Sequence, residues 1–152
     1  MADDALFREK APRIMGWLMV DFGLNDVQAA AILGNIGHEC AGFRSMHEIG
    51  QPEGKGGYGW VQWTGPRREA FFAWCGESGL DWKSDEANYG FLCHELKTTE
   101  RRTLPAIRES TTLEDATQTF EREFERAGVK HYAAREKWAR TALEGFRAMF
   151  GR

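Results

Sequence analysis

The sequence has no apolar run long enough to cross a bilayer, no CxxC pair and no excess of positive charge. A membrane-spanning helix needs about 20 apolar residues, so stable membrane insertion is not expected. The first residues, MADDALFREK, carry acids where a secretory signal has a basic start followed by an apolar stretch, and no export signal is read there. Lys and Arg total 20 against 23 Asp and Glu, a formal net charge of −3 with both signs interspersed. Basic patches such as GPRR and TERRT are diluted by neighbouring acids, so a nucleic-acid partner gains no support from an overall basic field. The three cysteines, Cys40, Cys75 and Cys93, cannot all pair within one chain. Reduced, mostly buried thiols are expected, because free cysteine packs as a small hydrophobe.

Several catalytic signatures are also missing. The dipeptide HE occurs at His38-Glu39, His47-Glu48 and His94-Glu95, each time without the second histidine of HExxH, which argues against a zinc peptidase. There is no GxSxG elbow. The glycine-rich stretch has neither the GKS or GKT ending of a phosphate-binding loop nor the strand-to-helix setting of a dinucleotide site. A Cys40 nucleophile paired with His38 or His47 has no identifiable third group to orient it. No metal and no cofactor are expected.

What is present reads as one domain. A chain of 152 residues, 42% hydrophobic and 28% charged, is large enough to bury a core without metal or disulfide. Apolar residues at Phe7, Ala11, Ile14, Leu18 and Phe22 predict a helix that either kinks at Pro12 or begins near Ala11, with Gly23 as its end. Asn25 and Gln28 have capping-box spacing, so a second helix is predicted from Asp26 to Glu39 or Cys40. Gly34 and Gly37 on that helix suggest close approach of another backbone, as in a central helix. From Gly42 to Gly65 no helical period survives, and GQPEGKGGYG followed by YGWVQW predicts a small hairpin or irregular lobe. Further helices are predicted after Pro66, from about Glu86 to Lys97, from a Thr cap through Phe120 and Phe124 to a stop at Gly128, and over a last segment that carries Ala134, Trp138, Ala142 and Met149.

Glu39 is out of place on this map. It continues the apolar stripe of Ile32 and Ile36 rather than the wet face. A carboxyl at a helix C-terminus meets the negative end of the dipole, and partial burial penalises its charged form; both raise its pKa. That suits a general acid protonating an ether oxygen near neutral pH. The loop that follows offers glycines for close approach and the flat faces of Tyr58, Trp60 or Trp63 for sugar rings. A sugar polymer is a plausible substrate, with a purely structural Glu39 held by an arginine or backbone N–H groups, or a binding-only role, as the alternatives.

Two segments, GLNDVQAAAILGNIGHECAGF and GGYGWVQWTGPRR, resemble the lysozyme domain of phage tails and related endolysins, within the lysozyme-like superfamily. The likeness extends to FEREFERAG and the last helix, covering about residues 11 to 150. It implies a mainly α fold of the α+β lysozyme-like kind, a helical core with a small glycine-rich β-hairpin lobe inserted after the central helix. It implies a glycosidase that cleaves the β-1,4 bond between N-acetylmuramic acid and N-acetylglucosamine in bacterial peptidoglycan, with Glu39 as general acid. Two departures stand out. Cys40 occupies a position usually held by serine, and Gly57 stands where animal-type lysozymes have the aspartate that stabilises the sugar cation.

A second carboxylate would lie about 5 Å from the acid in a retaining enzyme and about 6.5 to 9.5 Å away in an inverting one. Glu48 is the first candidate and Glu53 the second, the latter equally readable as solvated surface. If neither acts, Glu39 serves alone as acid and then base, as in lytic transglycosylases. Gln62 is expected to hydrogen-bond a sugar N-acetyl group or the loop behind Glu39. In a regular strand Tyr58, Trp60 and Gln62 share one side, which assigns Trp60 to the groove and Trp63 to the core. Phe71, Trp74, Phe91, Phe120, Phe124 and Trp138 are read as core. The rivals to a muramidase are a transglycosylase, a chitinase-like enzyme and a non-catalytic wall-binding or assembly domain. A monomer is expected, made in the host cytoplasm and reaching the wall through a holin-type pore or on a phage particle, with a free endolysin favoured.

Overall fold

Seven α-helices and one π-helical turn make up the regular structure of residues 3–151, the part that the computed structural model describes. Helix α1 spans Ala5–Phe22 and takes the buried Pro12 into its interior rather than starting at Ala11; Gly23, at φ 66°, ends it in the left-handed region. Helix α2 spans Asp26–Glu39 and opens with both halves of the capping box: Gln28 N–H donates to Asn25 Oδ1 (2.8 Å) and Asn25 N–H to Gln28 Oε1 (3.0 Å). Helices α3 (Gly65–Ser78) and α4 (Asp85–Lys97) follow the lobe. A short α5 (Thr103–Arg108), α6 (Leu113–Phe120), the π-turn Glu121–Glu125 and α7 (Tyr132–Phe150) complete the chain.

Helix α2 is the central element, buried from Gln28 to Gly37 and packed mainly on α7, with α6 and α1 beside it. Its glycines make that packing possible. A Cβ on Gly34 would stand 2.5 Å from Ala139 Cβ and 2.6 Å from the Arg135 carbonyl oxygen, and one on Gly37 would stand 2.9 Å from the rings of Phe7 and Trp138. The backbones of α2 and α7 therefore approach more closely than any side chain between them would permit.

The expected β-hairpin lobe is absent, and this corrects the α+β assignment: the described residues are almost entirely helical. Between α2 and α3 only two isolated antiparallel bridges occur, His47 with Tyr58 and Tyr58 with Trp63. Gly50, Gly54, Gly56, Gly59 and the non-glycine Gln62 all have positive φ. Each turns the chain before a ladder can extend by a second pair. Tyr58 and Trp63 exchange both backbone hydrogen bonds (3.0 and 2.9 Å), closing a tight loop over the four residues between them. Strand alternation therefore does not apply, and Trp60 and Trp63 are both buried, at 0% and 1% exposure.

The helix expected to run to Gly128 is also different. Regular α geometry stops at Phe120, and the widened turn closes with Arg126 N–H donating to the Glu121 carbonyl, five residues back. Arg126, at φ 52°, ends it before Gly128. The buried Glu121 supplies the reason for the early exit, since its carboxylate accepts from Ala127 N–H (2.8 Å), Lys130 Nζ (2.9 Å) and Tyr132 Oη (2.8 Å). The chain wraps around that carboxylate instead of continuing as a helix. At the end of α7, Met149 is 62% exposed.

Candidate active site

Glu39 ends α2 at the mouth of a polar cleft of about 240 Å³, with Gln62, Thr64, Arg67, Glu125 and Arg126 among its lining residues. Its side chain is 18% exposed and its Oε2 lies 2.7 Å from Arg135, a guanidinium only 1% exposed. Arg135 is itself fixed: Nε donates to the Lys130 carbonyl (2.6 Å) and Nη1 to Asn35 Oδ1 (3.0 Å). Asn35 donates in turn to the carbonyls of Ala31 (3.0 Å) and Thr117 (3.1 Å). A chain of buried polar groups from α6 through α2 to α7 therefore sets where the Glu39 carboxyl points.

Two opposed influences act on that carboxyl. Burial raises its pKa and the negative Glu121 adds to the rise, while the charge and hydrogen bond of Arg135 lower it; the net direction is upward. Glu125, on the π-turn, is pushed well above the usual carboxylate range by burial and then by the charge of Glu39. Its Oε2 is sealed from solvent and has no hydrogen-bond partner. Burial would raise Glu121 too, but the hydrogen bonds from Lys130, Tyr132 and Ala127 hold it below its ordinary value. His38 beside them is lowered to about 4, by burial and then by Arg135 and His131, whose ring stands 5.1 Å away.

The other wall comes from the end of the lobe and the start of α3. Gln62 sits in the left-handed region at φ 54°, and its Nε2 donates to the carbonyls of Gly59 (2.9 Å) and Ser45 (3.4 Å). Its amide oxygen accepts no hydrogen bond among the described residues, leaving an acceptor beside the cleft. Trp63 Nε1 donates to Glu95 (2.8 Å), and Arg67 grips the same carboxylate with two nitrogens (3.0 and 2.7 Å) while its third donates to the Phe124 carbonyl (2.9 Å). Glu95 on α4 thus anchors both halves of the QWTGPR segment. Asn88, also on α4, accepts from Trp60 N–H (2.8 Å) and pins the tight loop.

Of the residues singled out in the sequence, Glu39 and Gln62 meet at this cleft. Glu48 and Glu53 do not line it. Glu48 is exposed and accepts the Gly57 N–H at 3.0 Å. Glu53 borders a separate hollow with His47, Gly54, Tyr58, Phe72 and Trp82. Tyr58, 4% exposed, stacks on His47 (3.9 Å) and accepts from Gly54 N–H (2.8 Å). Trp60 is 0% exposed, with its indole nitrogen unpaired. Gly57 is walled in: a Cβ there would stand 2.7 Å from Gln62 Cβ, so Gln62 occupies the room an aspartate at that position would need.

Arg135, Glu121, Glu125 and Glu95 were not found from the sequence. Arg135 was within reach, because it continues the buried spacing of Trp138, Ala139 and Ala142 just as Glu39 continues that of Ile32 and Ile36. Glu125 was not, because its direction depends on the π-turn.

Among the described residues no helix is long and apolar enough to cross a membrane, and no group of His, Cys, Asp and Glu is arranged to hold a metal ion. No curated protein matches the sequence. Residues 9–146, nearly the whole chain, match the phage tail lysozyme family. The protein belongs to that family, and with it to the lysozyme-like glycosidases directed at peptidoglycan.

Proposed function

We propose that the protein is a muramidase that cleaves the β-1,4 bond between N-acetylmuramic acid and N-acetylglucosamine, with Glu39 as general acid. The observation that carries this reading is the setting of Glu39, a partly buried carboxyl whose pKa burial raises from its ordinary value, at the mouth of a polar cleft. In its protonated form it donates to the glycosidic oxygen. The carboxylate left behind faces a fixed guanidinium at 2.7 Å, so the charge that develops has a partner already in place. Gln62, through its free amide oxygen, accepts from a sugar N–H.

A second reading is favoured by the lobe side of the cleft, where Gln62 rather than a carboxylate faces Glu39. Glu39 then acts alone as acid and base, with the sugar's own groups assisting, and the product is an anhydro sugar. Glu39→Gln should abolish clearing of purified peptidoglycan while leaving the circular dichroism spectrum unchanged; equal clearing would sink both readings. Mass spectrometry of the fragments separates them, because free reducing ends mark hydrolysis and anhydro ends mark ring closure. Glu48→Gln is the parallel test of a lobe carboxylate: a large loss of turnover supports a two-carboxylate hydrolase, and unchanged turnover removes Glu48.

A further inference from the structure

A second hollow, of about 390 Å³, opens beside the cleft between the end of α4, the start of α5 and the π-turn. Arg126 lines both, so the two hollows are neighbours on either side of one residue. Arg101, Arg102 and Arg122 also border it, with Glu100 and Glu123 as the acids, leaving two positive charges in excess on a chain whose formal net charge is −3. Glu100 is already committed to Arg126 at 2.5 Å. Among the described residues, Arg101, Arg102 and Arg122 form no ion pair, and the hydrogen bonds of Arg101 and Arg122 go to neutral oxygens of Thr98 (3.1 Å) and Thr119 (3.2 Å). Thr103 lines the hollow at 0% exposure, and its hydroxyl is buried without a hydrogen-bond partner. A buried hydroxyl without a partner is uncommon in a native fold. The hollow itself is edged by guanidinium groups, whose planar forks match carboxylates.

We propose that this hollow is a subsite for the acidic peptide stems carried by the glycan, binding their carboxylates through Arg101, Arg102 and Arg122. The inference rests on the peptidoglycan reading of the Glu39 cleft. A peptide on a sugar residue bound at that cleft would come within reach of the hollow, which opens beside Arg126. The enzyme would thereby prefer peptide-bearing strands to bare glycan, a selection made at binding and not at bond cleavage.

Two measurements test the subsite. In the first, the peptide L-Ala-γ-D-Glu-L-Lys-D-Ala, with two free carboxylates, is titrated into full-length Glu39→Gln protein and followed by amide NMR. Saturable shifts centred on residues 99–103 and 122–126, absent with the same peptide amidated at both carboxyls, are expected. Equal shifts from the amidated peptide, or saturation by inorganic phosphate without a response to the peptide, would overturn the proposal. In the second, turnover of peptide-bearing glycan is compared with that of the same glycan stripped of its peptides. The wild type should show a severalfold lower KM for the peptide-bearing chains at similar kcat, and the Arg102→Ala/Arg122→Ala variant should lose that preference. A wild type with no preference, or a variant that keeps it, counts against the subsite. If neither glycan is cut, the muramidase reading fails, and the peptide titration still decides the subsite by itself.

Discussion

One oxygen atom, Glu125 Oε2, is shut off from water with no hydrogen-bond donor beside it, and burial raises the Glu125 carboxyl well above the usual carboxylate range, favouring its protonated form. The consequence for stability has a definite sign. An unfolded glutamate titrates near pH 4.3, while Glu125 in the folded protein titrates well above that. Between these values the folded state holds a proton that the unfolded chain has lost, so this contribution to stability falls as pH rises through the window. Glu39, also raised, acts in the same direction, whereas the lowered Glu121 withdraws stability as pH falls. Glu125→Gln retains the shape and removes the titration. Thermal melts from about pH 4 upward should show the wild type losing more stability with rising pH than the variant. Parallel curves would mean that Glu125 is solvated and ordinary. The sequence alone could not single this residue out, since FEREFERAG offers several glutamates and only the π-turn decides which one faces inward.

At the level of elements, the helices were legible where a cap and an apolar stripe coincide, as in α2 with its Asn25 box. The irregular pieces were not. Six-residue α5 is too short to show a period, the π-turn is produced by tertiary hydrogen bonds to Glu121, and the lobe has the composition of a hairpin but the dihedrals of successive turns. Glycine within the helices separates packing from propensity. Gly34 on α2 faces Ala139 Cβ and the Arg135 carbonyl, whereas a Cβ on Gly16 of α1 would meet nothing within 4 Å. Ala is favoured over Gly in a helix by about 1 kcal/mol, and overpacking a core costs about 1–3 kcal/mol. Gly16→Ala should therefore stabilise the protein in urea denaturation by up to about 1 kcal/mol. Gly34→Ala should destabilise it, because α7 must move away from α2. Changes of the same sign at both sites would contradict close α2–α7 contact.

Over the whole molecule, the cleft is a gap between two sets of elements, α2 with the π-turn and α7 on one side and the lobe with α3 and α4 on the other. Arg67 crosses it, reaching from α3 to Glu95 on α4 and to the Phe124 carbonyl on the π-turn, with its guanidinium 4.7 Å from the Phe124 ring. No local pattern could show a junction whose three members lie 28 and 57 residues apart. Arg67 falls within the segment GGYGWVQWTGPRR, but nothing local to that segment shows its job. Removing Arg67 alone, as in Arg67→Leu, leaves the nearly buried Glu95 charge without its ion pair, which costs about 3–5 kcal/mol. Replacing both, Arg67→Leu with Glu95→Leu, removes the stranded charge and should restore much of that loss in urea denaturation, since apolar side chains can substitute for a buried pair. Activity should not return with stability. The double variant still lacks the link to the π-turn and the acceptor for the Trp63 indole, so the two walls lose their fixed separation. Peptidoglycan clearing measured on the refolded double variant decides the matter: low turnover in a stable protein identifies Arg67 as the strut that holds Gln62 opposite Glu39, and full turnover would confine its role to neutralising Glu95.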